Sequence, residues 1–256
     1  MDVELIRSRI AKLAPWHFKI ELAPGLYTAE ESQEGVQLVR DTTEMLQMLK
    51  HLHPNGLHGK SFLDVACNAG AYCFMAHDLG ASHCFGFDIR EHWIDQAEFV
   101  KELKYPKAEI EFTVADAKTF SSSRPFDVTL FKGIFYHLPD PVSTLKLACD
   151  MTSELIIVDT ATWPDAPEDC IRIATENTHR HMSGVDGVTW MPGGPAALKP
   201  LLNWMGFPHT RVHKWIKRRD LEPGKRGNKR GRMCVLAARE VATFKNYDSA
   251  SSTAQQ

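Results

Sequence analysis

Long apolar runs, a secretion leader and paired cysteines are all missing from this 256-residue chain. None of its hydrophobic stretches approaches the roughly 20 residues that a bilayer-spanning helix needs. The opening MDVELIRSRI lacks the basic-then-apolar layout of a signal peptide. The six cysteines contain no C-x-x-C pair, and several sit in apolar, strand-like runs, which reads as reduced, buried thiols. A cytoplasmic protein without membrane contact is the expectation. Two nucleotide signatures are absent as well: no G-x-x-x-x-G-K-[ST] loop and no complete G-x-G-x-x-G occur. Those absences disfavour ATP and dinucleotides. Internal repeats are absent too.

Charge is nearly balanced overall, at −2, but unevenly distributed. Residues 211–232, RVHKWIKRRDLEPGKRGNKRGR, hold ten of the thirty Lys and Arg and only two acids, so this stretch carries +8 and the remainder −10. Such a patch can attract an anionic substrate or nucleic acid; it also suits a solvated hairpin loop, since Pro223, Gly224 and Gly227 rule out a helix.

What is present is alternation. Val3, Ile6, Ile10 and Leu13 predict a helix over 3–13 that stops at Pro15, and Val36, Val39, Leu46 and Leu49 predict a second that ends at Pro54-Asn55-Gly56. From Lys60 onward, strands at 61–66, 83–88, 110–115, 127–132 and 153–159 alternate with helices near 71–79, 91–104 and 141–150. An irregular insertion at 160–195 follows, then a helix over Ala196–Met205 and an antiparallel hairpin of 210–217 and 232–239. The polar tail from Asn246 reads as disordered. The expected architecture is α/β: a Rossmann-like, doubly wound sheet over 56–240, an N-terminal helical cap over 1–55 and a tail over 241–256.

Ligands of open α/β sheets bind at the carboxyl ends of the strands. The first strand leads into the small-residue turn Cys67-Asn68-Ala69-Gly70, with Asp64, Ala66, Asn68 and Gly70 as candidates for the amino-acid part of a cofactor. Asp88 ends the second strand, where a carboxylate grips a ribose diol, and Ile89 follows it. Asp116 and Ala117 follow the third and suit an adenine ring. Lys132 and Tyr136, in LFKGIFYHLPDP, follow the fourth. An acid after a strand is often only a helix cap, but four strand ends in this order point to an adenosine ligand without a pyrophosphate. S-adenosylmethionine fits that description.

On these motifs, the stretch from Trp16 to Arg239 resembles the class I S-adenosylmethionine-dependent methyltransferases, and within them the group that includes the tRNA wobble-uridine carboxymethyltransferase. The carrying segments are WHFKIELAPGLYT, FLDVACNAGAYCF, GFDIREHWIDQAEFV, LFKGIFYHLPDPVSTL, LIIVDT, WMPGGPAALKPLLNWMGF and RMCVLAARE. The resemblance implies a seven-stranded sheet with an antiparallel last strand. It also implies that Tyr136 and Arg232 occupy positions which, in the carboxymethyl branch, hold a carboxylated cofactor. The lysine of that branch stands in W-R-K; this chain has Trp16-His17-Phe18 with Lys19 one place late. Ordinary methyl transfer is therefore the expectation.

Methyl transfer from a sulfonium needs alignment and, for a weak nucleophile, a base. His137, after the fourth strand, is the base candidate, with a packing role in the Tyr-His-Leu-Pro turn as the other reading. His179 and His181 lie in the insertion, where acceptor pockets are built. An H-x-H pair without a third ligand does not make a metal site, so no metal is expected. Trp16, Tyr27 and Trp190 are candidates for an aromatic pocket or for core. The expected acceptor is a hydroxyl, less readily a nitrogen, of a small metabolite. The alternative is a tRNA-modifying enzyme docking RNA through residues 211–232; a non-catalytic cofactor-binding module is a third reading.

Overall fold

The computed structural model describes residues 3–29, 39–163, 165–179, 182–217 and 231–253. They fall into two compact units, Met1–Ala117 and Lys118–Gln256.

The first unit holds α1 (Val3–Lys12), β1 (Glu21–Ala23), β2 (Leu26–Tyr27), α2 (Thr43–Leu52), β3 (Ser61–Val65), α3 (Ala71–Asp78), β4 (His83–Asp88), α4 (Glu91–Lys104) and β5 (Ile110–Val114). Strands β3, β4 and β5 pair in parallel, with Val65 opposite Phe87 and Asp88 opposite Val114. This register brings the carboxyl ends of all three strands to one edge. The N-terminal segment is fixed to α4. Gln96 Nε2 donates to the carbonyls of Leu13 and Pro15 at 2.6 and 2.9 Å, and Arg9 pairs with Glu102 at 2.8 Å. Trp16 is fully buried and donates its Nε1–H to the Ile10 carbonyl at 2.8 Å. It is therefore core, not pocket lining. The second helix starts at Thr43, later than its apolar periodicity predicts; Val36 lies outside the described residues.

The second unit contains β6 (Phe126–Lys132), a 3-10 turn at Phe135–His137, α5 (Pro141–Asp150), β7 (Thr152–Thr162), β8 (Ile171–Thr175), β9 (Val188–Pro192), α6 (Pro195–Trp204), β10 (His209–Ile216), β11 (Gly231–Ala238), a second 3-10 turn at Val241–Phe244, and α7 (Lys245–Thr253). Asp140 caps α5 by accepting from the Ser143 N–H at 3.0 Å, and Pro141 supplies the preset φ of the first helical turn. Strand β7 is the hydrophobic spine. Leu155, Ile156, Ile157 and Val158 are all fully buried, each contributing about 1.5–3 kcal/mol of burial. It pairs in parallel with β6 and antiparallel with β11, which in turn pairs antiparallel with β10. The sheet is seven-stranded, in the order β10-β11-β7-β6-β3-β4-β5.

Two expectations change. The insertion at 160–195 is not irregular: β7 runs on to Thr162, and β8 and β9 form an antiparallel ribbon from Ile171 opposite Pro192 to Thr175 opposite Val188. The tail is not disordered through Thr253, because α7 forms there and is anchored to β10. Arg211 pairs bidentately with Asp248 at 2.7 and 2.8 Å, and His213 Nδ1 lies 2.9 Å from the Tyr247 hydroxyl. Tertiary contacts stabilise a helix whose own sequence is a poor helix former.

Candidate active site

In the first unit, β3 runs into a turn of unusual backbone. Ala66 and Asn68 have positive φ, 62° and 52°, and Gly70 follows at 73°. A non-glycine residue held in this region costs roughly 1–3 kcal/mol and persists only where its surroundings enforce it. Here the enforcement comes from Asp88. Its Oδ2 accepts from the Asn68 N–H at 3.1 Å and its Oδ1 from the Arg90 N–H at 3.1 Å. One carboxylate thus ties the turn after β3 to the start of α4. The Cys67 N–H donates to the Phe87 carbonyl at 2.9 Å, and the Ala115 N–H to the Asp88 carbonyl at 2.9 Å, so the three strand ends are laced together.

Burial raises the Asp88 carboxyl above its ordinary value, with the N–H groups of Arg90 and Asn68 opposing the shift. Burial, then the nearby Asp64 and Asp88 carboxylates, push the Cys67 thiol far up, which removes it as a nucleophile. Asp64 and Asn68 are buried, Ala66 is half-buried, Ile89 is exposed, and Asp116 and Ala117 follow β5, half-buried and buried respectively. Gly70 serves packing as well as conformation: a Cβ there would lie 2.4 Å from Phe112 Cζ. Lys19 sets its ammonium 4.7 Å above the Tyr27 ring, so Tyr27 is a platform for a cation of its own chain.

The second unit carries two clusters. In one, Asp159 of β7 accepts from Lys132 Nζ at 2.6 Å and from Arg232 Nε. The guanidinium of Arg232 lies 5.8 Å from the Tyr136 ring centroid. Burial would raise the Asp159 carboxyl, but Arg232 and Lys132 overcome it and hold the group below the usual carboxylate range. Burial likewise opposes the Arg232 charge, and Asp159 more than restores it. Asp159 escaped the residue-by-residue reading because strand position alone does not reveal a partner on β11.

The second cluster surrounds His137. Its Nδ1 lies 2.7 Å from Glu176 Oε2, and the Gly184 N–H points at both, 3.0 Å from Nδ1 and 3.1 Å from Oε2. Glu176 follows β8 directly, and no sequence motif marks it. His179 is exposed and apart from this cluster, its N–H donating to Asn177 Oδ1 at 2.9 Å. His181 lies outside the described residues, as do Arg218, Arg219, Lys225 and Arg226 of the basic stretch. Trp190 is half-buried in β9. Among the described residues, no three His, Cys, Asp or Glu side chains converge as a metal site would require, and no helix is long and apolar enough to cross a membrane.

A family profile described as "Methyltransferase domain" matches residues 57–166. The tRNA U34 carboxymethyltransferase of Aliarcobacter butzleri (strain RM4018) is 30% identical over 159 residues, covering 61% of this chain and 50% of that protein. The same-named protein of Pseudoalteromonas translucida (strain TAC 125) is 22% identical over 65% of this chain and 49% of its own length. The chain therefore spans about half the length, or less, of such curated relatives. Among solved structures, the N-terminal domain of EvdMO1 with SAH bound has a TM-score of 0.73 at 23% identity, covering 93% of this chain and 97% of that one.

Proposed function

We propose, for a chain that carries a methyltransferase domain on the class I methyltransferase fold, that it binds S-adenosylmethionine along the carboxyl ends of β3, β4 and β5 and catalyses transfer of its methyl group. The observation that carries this reading is the left-handed turn at Ala66–Gly70 held by the Asp88 carboxylate. The residues fit the cofactor. Asp88 Oδ2 accepts from the Asn68 N–H and Oδ1 from the Arg90 N–H, and a carboxylate with about four acceptor sites keeps capacity for a ribose hydroxyl. The exposed Ile89 offers an apolar surface for adenine. Asn68 and the turn backbone supply polar groups for the amino-acid portion, and Asp116 and Ala117 for the base. When bound, the cofactor supplies an electrophilic methyl on sulfur. The protein's task is to align an acceptor with it and take up the acceptor's proton.

The names of the curated relatives support a tRNA nucleotide at the wobble position as acceptor, ahead of the small-metabolite hydroxyl expected from the sequence. The +8 stretch at 211–232 supports the same reading, because tRNA binding would gain from counterion release. A small hydroxyl compound stands second, on one specific observation: the EvdMO1 domain, also crystallised with SAH in the presence of D-fucose, is matched over 97% of its length, whereas the tRNA enzymes are matched over about half.

The deciding experiment supplies labelled S-adenosylmethionine with unfractionated tRNA or with a metabolite extract, and follows label transfer. Calorimetry of S-adenosylmethionine runs alongside. Label in tRNA, with salt-sensitive binding abolished by charge reversal at Arg218, Arg219, Lys225 and Arg226, supports the first acceptor. Label in the extract alone moves the assignment to the second. No cofactor binding sinks the methyltransferase reading.

A further inference from the structure

The two faces of the ribbon β8–β9 are unlike. Ile173 stands directly opposite Trp190 and Thr175 opposite Val188, so these four residues share one face. There Ile173 is 55% exposed, and Trp190 and Val188 are half-buried. On the other face Thr189 and Met191 are buried, with β9 packed against the 3-10 turn at Phe135–His137 and against β7. The segment that joins the two strands adds Met182 and Val185, 39% and 51% exposed. Single exposed apolar residues are ordinary; several gathered on one short element mark a surface that meets a partner.

The ribbon's charges bear on the chemistry of that partner. Both of its carboxylates are engaged within the chain. Glu176 Oε2 lies 2.7 Å from His137 Nδ1 and accepts from the Gly184 N–H at 3.1 Å, and Asp186 accepts from Lys118 Nζ at 3.0 and 3.1 Å. The Glu176 N–H donates to the Gly187 carbonyl at 2.8 Å, so the joining segment is pinned at both ends. Arg172, beside Ile173 in β8, is exposed and sets its guanidinium 3.7 Å above the Trp163 ring; no described residue accepts a hydrogen bond from that side chain. The exposed carboxylates Asp165 and Asp169 precede β8, on the side of its Ile171 end, where Glu168 pairs with Lys217 at 3.1 Å.

Resting on the tRNA reading above, we propose that Ile173, Val188 and Trp190 on the ribbon, with Met182, Val185 and Arg172, form a docking surface for the unpaired bases of the RNA loop that carries the acceptor nucleotide. Unstacked bases settle on aromatic and apolar side chains and on guanidinium planes, which is what this element presents. Each base brings a phosphate with it, so a surface whose own carboxylates are already engaged avoids like-charge repulsion. Length agrees as well: the five residues of β8 span about 13 Å, room for three to four nucleotides at about 3.4 Å each. A pinned segment also loses little conformational entropy when a partner binds. The surface reads bases, whereas the stretch at 211–232 supplies attraction for phosphates in general.

Met182 provides the reporter, because every other described methionine is buried. The full chain is oxidised with hydrogen peroxide, with and without unfractionated tRNA, and sulfoxide at Met182 is followed by peptide mass spectrometry. Saturating tRNA should slow that oxidation by at least about fivefold. In mobility shifts, Ile173→Asp and Val185→Asp should each weaken tRNA binding by at least about fivefold, the lower end of what one stacked base contributes. Their melting temperatures and S-adenosylmethionine affinity should match the unsubstituted chain. If tRNA binds but leaves Met182 unprotected and both variants unaffected, this surface is overturned while the tRNA acceptor stands. If tRNA does not bind at all, both fall, and calorimetry of S-adenosylmethionine still reports separately on methyl transfer. Protection that grows with protein concentration alone, together with a dimer in sedimentation, assigns the face to a second copy and likewise overturns the proposal.

Discussion

Asp159 and Arg232 face one another diagonally across the antiparallel pair β7 and β11. Arg232 stands opposite Ala161, two positions from Asp159, which is itself opposite Cys234. Residues two apart share a face of a sheet, so the long guanidinium reaches the carboxylate. Lys132 stands directly opposite Asp159 on the parallel neighbour β6 and closes on it from the other side. Three strands are thereby joined by one buried carboxylate.

That arrangement makes Asp159 a stability determinant. Asp159→Asn leaves two mostly buried cations without their counter-charge and should cost about 3–5 kcal/mol in denaturant melts. The pH dependence follows from its depressed folded-state value. The stabilisation is complete above the unfolded aspartate value of about 3.9 and is lost as pH falls through the lower folded one. The variant should lack that part of the acid limb, and superimposable acid limbs would contradict the assignment.

Asp88→Ala should weaken S-adenosylmethionine binding by roughly 1–3 kcal/mol, the usual scale for a hydrogen bond to a charged group. Because burial raises this carboxyl, acidification should reduce affinity at a higher pH than an ordinary aspartate would produce. Calorimetry across pH checks both points, and an unchanged affinity in the variant removes Asp88 from the cofactor site.

Gly70→Ala and Gly25→Ala separate conformation from packing. Both glycines have positive φ, 73° and 74°, but a Cβ at Gly70 meets Phe112 at 2.4 Å, whereas one at Gly25 has nothing within 4 Å. Each variant incurs the left-handed strain of about 1–2 kcal/mol. Gly70→Ala should lose roughly 1–3 kcal/mol more from overpacking. Equal thermal shifts for the two would refute the packing role.

The fourth prediction concerns cofactor choice. Lys19 directs its ammonium to the Tyr27 ring, and Arg232 directs Nε to Asp159. Ordinary S-adenosylmethionine should therefore bind in preference to its carboxylated form. A competition titration in which the carboxylated form wins by tenfold, about 1.4 kcal/mol, would overturn this.

Much of the scaffold could be read locally. The helix at 91–104 and the strand at 83–88 have the bounds that periodicity gives, and the hairpin strands are displaced by one residue. Those elements announce themselves because apolar spacing and breakers act over a few residues. The candidate cofactor turn was legible too, since its small residues and the terminal Asp88 occur within one strand–helix–strand stretch. The ribbon β8–β9 and helix α7 were not: their residues are polar or mixed, and partners distant in sequence hold them in place. The same reason hides the site's electrostatics. Asp159 finds Lys132 27 residues away and Arg232 73 away, and His137 finds Glu176 39 away. By itself, then, the sequence determined the alternation of elements and the turn at the first strand end. Only the tertiary structure decided which charges neutralise one another and which carboxylate meets His137, because ion pairs depend on distances that folding alone creates.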